Sequence, residues 1–94
     1  MSFSPEAAET FGLKALGWLA TNEELMPVFL GSSGAAVEDL KAQAGDPSFL
    51  ASDLDFIMMD DAWVIAFCDA IGAQYQDPML ARQAMPGSEQ HHWT

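Results

Sequence analysis

Basic residues are nearly missing from this chain: Lys14, Lys41 and Arg82 stand against fourteen acids, a formal charge of −11 over 94 residues. Proteins that grip nucleic acid or anionic membrane surfaces need a basic patch, and three dispersed bases cannot build one. Cysteine is equally scarce. Cys68 stands alone, which excludes a disulfide framework and suits a reducing compartment. No apolar run reaches the roughly 20 residues of a membrane helix; the longest, Ala62 to Cys68, falls far short. The first base is Lys14 and no apolar leader core accompanies it, so no targeting segment is read. A soluble, cytoplasmic protein is expected. Apolar residues are not lacking: they make up 50% of the chain, enough for one core in one small domain.

Helix punctuation organises what is there. Ser4-Pro5-Glu6 supplies an N-cap, a proline at the first helical position and an acid in the first turn. The helix that follows carries Phe11, Leu16, Trp18 and Leu19, with Gly12 and Gly17 inside it. Thr21 and Glu24 have capping-box spacing for a second helix. There Pro27 predicts a kink or a later start, and Gly31-Ser32-Ser33-Gly34 ends the helix. A short third helix spans about 37–44. Asp46-Pro47 opens a fourth, with Leu50, Leu54 and Ile57 on one face. Asp60-Asp61 caps a fifth, which runs to Gly72 and is apolar all round apart from Asp69. That pattern predicts a central, buried helix. Asp77-Pro78 starts a sixth helix over 79–85, and 86–94 reads as a flexible tail.

Sliding the chain against itself by 38 residues aligns 9–46 with 47–84. Phe11 then meets Phe49, Leu16 Leu54, Phe29 Phe67, Gly34 Gly72, Ala35 Ala73 and Asp39 Asp77. Roughly two or three such coincidences are expected at ordinary composition. The expected fold is therefore all-α: a compact bundle of five or six short helices in two related three-helix halves.

The runs Thr21-Asn-Glu-Glu-Leu25, Asp46-Pro-Ser-Phe-Leu50, Leu54-Asp-Phe-Ile57 and Asp60-Asp61 through Phe67 to Gly72 carry a resemblance. They resemble those of a small alphaproteobacterial domain-of-unknown-function family over about Glu6 to Met85. The resemblance implies a compact helical protein with no assigned activity, so no catalytic residue is carried over. Pro27 and the His91-His92-Trp93 tail depart from the family's pattern.

Nine acids (Glu6, Glu23, Glu24, Glu38, Asp39, Asp46, Asp60, Asp61 and Asp77) fall at or near helix starts, where they cap amides and complement the helix dipole. Asp53, Asp55, Asp60 and Asp61 form the densest acidic cluster. It lacks the glycine of a calcium loop, and residues two apart on a helix do not face the same way. His91 and His92 have no partner at metal-ligand spacing, and Cys68 has no neighbouring base to activate it. Ser52-Asp53-Leu54 reverses the Asp-Ser-Leu order at which acyl carrier proteins, also small and acidic, bear their prosthetic group. No catalytic, cofactor or metal residue is assigned.

Met58, Met59 and Trp63, at the junction of the fourth and fifth helices, are the residues expected at an exposed apolar patch, with Asp53 and Asp55 beside them. Filling gaps in a small core is the commoner use of such methionines. The leading expectation is a non-enzymatic protein-interaction module for a basic or apolar-helix partner. A small-ligand binder or enzyme with a site between helices, and an acidic DNA mimic, are the alternatives.

Overall fold

Short polar side chains open three of the helices. A computed structural model describes residues 3–85 of the chain. Ser4 Oγ accepts from the Ala7 amide (3.1 Å) and begins α1, Pro5–Ala20. Asp46 accepts from Ser48 (3.0 Å) and begins α4, Pro47–Ile57. Asp60 accepts from Ala62 (2.8 Å) and begins α5, Asp61–Ile71. Each satisfies an amide that the helix itself leaves without an acceptor. The remaining helices are α2 (Leu25–Ser33), α3 (Leu40–Gln43, preceded by a 3-10 turn at Val37–Asp39) and α6 (Asp77–Gln83). No strand occurs among the described residues, and none of their helices is long and apolar enough to cross a membrane. The fold is an all-α bundle. The 86–94 stretch lies outside the described residues.

One local expectation changes and another is met. Thr21 does not cap α2, because α1 runs to Ala20 and the Thr21 hydroxyl closes that helix on the Trp18 carbonyl (3.0 Å). Asn22 takes the capping role instead, its Oδ1 accepting from the amides of Glu24 (3.1 Å) and Leu25 (3.0 Å). Pro27 is then only the third residue of α2. The helix thus starts later than a Thr21 cap would place it, as Pro27 predicts, and the missing N–H falls in the first turn, where proline is tolerated without a kink.

The 38-residue offset recurs in the hydrogen bonds. Asn22 capping Glu24 corresponds to Asp60 capping Ala62. The bond from the Ala36 amide to Asp39 Oδ2 (3.3 Å) corresponds to that from Gln74 to Asp77 Oδ2 (3.0 Å). Gly34 (φ 76°) and Gly72 (φ 74°) both end their helices in the left-handed region, which only glycine enters cheaply.

The aromatic core follows the same offset crosswise. Phe67 of α5 packs on Phe11 and Trp18 of α1, with ring centroids 5.5 Å apart in both pairs. Phe29 of α2 packs on Phe49 (5.6 Å) and Phe56 (5.3 Å) of α4. Each half thus places a phenylalanine between two rings of the other.

Helices α1 and α4 form the centre, supplying Ala8, Phe11, Ala15, Leu16 and Leu19 from one and Phe49, Leu50, Leu54, Phe56 and Ile57 from the other. They meet at Gly12 and Leu50, positions matched by the offset. A Cβ on Gly12 would lie 3.0 Å from Leu50 Cβ, 3.3 Å from the Leu50 carbonyl and 3.2 Å from Met85 Cε. The Met85 tip can swing away, whereas Leu50 Cβ and its carbonyl move only with the helix. Gly12→Ala is therefore expected to lower stability by about 1–2 kcal/mol, overpacking outweighing the better helix propensity. Gly17, with open space around its Cβ position, is the control: Gly17→Ala should gain up to about 1 kcal/mol. Urea denaturation of both variants checks the pair, and equal effects would contradict the close approach.

Helix α5 is not the central helix that its composition suggests. Only Phe67 and Cys68 are buried. Trp63, Val64 and Ile71 are half-buried, while Ala62, Ile65, Ala66 and Ala70 are exposed. An all-apolar helix signals burial only if neighbours exist on every side, and α1 and α4 hold the centre here.

Candidate functional site

The five residues expected at a partner surface separate in the structure. Met59 is 73% exposed. With the exposed Asp55 it borders a shallow depression of about 240 Å³ alongside Phe29, Ser32, Ser52 and Phe56. Asp55 also accepts from Arg82 Nε (2.9 Å), a bridge that ties α4 to α6. Met58 is half-buried against the core. Trp63 is half-buried and stacks on Phe56, with centroids 4.9 Å apart and planes 25° from parallel.

Asp53 departs from its expected place. It is fully buried, and neither carboxylate oxygen has a hydrogen-bond partner among the described residues. Lying three residues after Leu50 and four before Ile57, it falls on the buried stripe of α4. Burial, with a smaller push from the Asp55 charge, raises its pKa from 3.8 to about 9. At neutral pH Asp53 is thus an uncharged acid inside the core, and it presents nothing to a partner.

Trp63 belongs to a different site, one built from both halves. A cleft of about 190 Å³ opens where the end of α1 and the start of α2 face α5, lined by Trp18, Asn22, Glu24, Leu25, Trp63 and Ala66. It continues outward onto an open shelf formed by Trp18, Thr21, Asn22, Glu23 and Glu24. Trp18 rests against Phe67 and Trp63 against Phe56, so the packed core fixes both indoles. No base of the described residues pairs with Glu23 or Glu24.

Sequence reasoning missed Trp18, Asn22 and Glu24 as members of this site. An aromatic four residues before an Asn-Glu-Glu run was the available signal. Its meaning depended on α5 arriving from the other half.

Cys68 behaves as a core residue. Its buried thiol donates to the Gln74 carbonyl (3.3 Å), and burial pushes its pKa up, helped by the charges of Asp77 and Asp69. A raised thiol pKa disfavours the nucleophilic thiolate. Among the described residues no group of three or more His, Cys, Asp or Glu side chains is placed to hold a metal. His91, His92 and Trp93 lie outside the described residues.

No curated protein and no solved structure matches the chain. A family model does match it, across residues 5–88, and its description is that of a protein of unknown function, DUF3572. With a match over most of its length and an all-helical fold, the chain belongs to the DUF3572 family.

Proposed function

We propose that the protein is a non-enzymatic protein-interaction module acting in the cytoplasm. The observation that carries this reading is the face of α5. Helix α5, apolar at every position except Asp61 and Asp69, leaves Ala62, Ile65, Ala66 and Ala70 in solvent, with Ile65 45% exposed. Exposed apolar surface is favoured where another molecule covers it. Asp61 and Asp69 on the same helix and Glu23 and Glu24 near it give that face an acidic border. Such a border steers a basic partner and repels acidic ones. We also read the 38-residue correspondence as the trace of an internal duplication. On that reading α2 and α5 began as equivalent helices, each now burying two residues, Leu25 and Phe29 in one and Phe67 and Cys68 in the other.

The test uses an Ile65→Asp variant, which alters the exposed face while leaving the ring packing alone. Immobilised wild type and variant are each exposed to lysate of the source cell at low and moderate salt. A stoichiometric partner retained by the wild type and lost by the variant is the expected result. Absence of any such partner under both conditions would overturn the reading.

A further inference from the structure

We propose that the cleft between the start of α2 and α5 receives an arginine side chain of the partner protein. The proposal rests on the interaction-module reading and names what the module recognises. Indole faces attract cations through the ring quadrupole, and tryptophan does so best. Trp18 and Trp63 line the cleft and are held by Phe67 and Phe56, so little side-chain freedom is lost on binding. Glu24 supplies the counter-charge. Asn22 Oδ1 is already occupied by two backbone amides, which leaves the Glu24 carboxylate as the principal acceptor for an incoming donor.

The chemistry selects among cations. A guanidinium is planar, stacks on aromatic faces, is weakly hydrated and can pair with a carboxylate through two parallel hydrogen bonds. An ammonium is more strongly hydrated and lacks the planar fork. Charge selects the source. Free arginine also brings a carboxylate, which the acidic shelf repels and no basic lining residue receives. A residue within a polypeptide has no such group.

The experiment follows the indole N–H resonances of Trp18 and Trp63 in ¹⁵N-labelled full-length protein. Three probes are titrated: acetyl-Ala-Leu-Arg-Leu-Ala-amide, the same peptide with uncharged citrulline for arginine, and free arginine. The expected result is saturable movement of both resonances with the arginine peptide. Binding should weaken by about tenfold for citrulline and by a similar factor for Glu24→Gln, as for loss of a charge-assisted bond beside an aromatic face. Free arginine should bind more weakly than the peptide. Equal binding of the arginine and citrulline peptides, an unaltered Glu24→Gln titration, or no movement with any probe would overturn the proposal. Stronger binding of free arginine than of the peptide would overturn the protein source in favour of a small cation. The two readings fail separately. An Ile65-dependent partner whose capture is unchanged in Glu24→Gln defeats the arginine site alone. Peptide binding without any captured partner defeats the module.

Discussion

An Asp53→Asn variant is expected to be more stable than the wild type at neutral pH, by an amount that grows as pH rises. Asparagine matches aspartate in size and keeps a polar group in the same buried place, so the comparison isolates the proton. In the folded chain Asp53 holds its proton up to about pH 9, whereas an ordinary aspartate ionises near 3.8. The raised folded pKa fixes the sign. Below 3.8 both states are protonated and the full stability is present. Above it the unfolded chain releases the proton and the folded chain does not, so stability falls until the folded group ionises near 9. The slope approaches about 1.4 kcal/mol per pH unit, which accumulates on the order of 4 kcal/mol by pH 7. That is a large fraction of the roughly 5–15 kcal/mol typical of a domain. Paired urea melts of wild type and variant between pH 4 and 9 measure the divergence. Parallel stability curves would show that Asp53 is ionised or solvated in the folded protein. Asp53→Leu, which also removes the unpartnered polar group, should exceed the wild type even at pH 4.

Phe67→Ala and Phe29→Ala should each cost about 3–5 kcal/mol, the range for emptying a buried aromatic site. Both rings are essentially inaccessible, at 0% and 1% exposure, and each bridges two rings of the opposite half. The crosswise arrangement predicts similar losses from the two substitutions, although one residue lies in α2 and the other in α5. Urea midpoints at unchanged m-value report those losses as stability rather than as altered compactness. A loss below about 1 kcal/mol at either position would mean that its ring site collapses without a cavity, contrary to the packing described.

Features decided within a few residues were legible in the sequence, and features decided by neighbours were not. Ser4-Pro5, Asp46-Pro47 and Asp60 announce their helices because a cap acts on amides two or three positions away. The match of Phe11 with Phe49 and Phe29 with Phe67 survived into the ring contacts because it reflects core positions. Burial of α5 was misread, since an apolar composition does not say which side a neighbour will occupy. Asp53 was misread for a different reason: residue type was weighed above helical position. Its spacing from Leu50 and Ile57, and its match with the buried Ala15 under the offset, both placed it inside. Of the residues that line the cleft, Trp63 was named from the sequence as a partner-surface residue. Trp18 and Glu24 were not, because they meet it only after the halves interlock.

The crosswise rings are equivalent in space but not along the chain. Phe29 reaches Phe49 and Phe56 by closing loops of 20 and 27 residues, the differences of their numbers, whereas Phe67 must travel back 49 and 56 residues to Trp18 and Phe11. Closing a 56-residue loop costs about 0.9 kcal/mol more than closing one of 20, by the logarithmic growth of closure entropy. Closure entropy therefore favours the inner pairing of α2 with α4 over the outer pairing of α5 with α1, and it is the costlier outer pairing that brings Trp63 to Trp18.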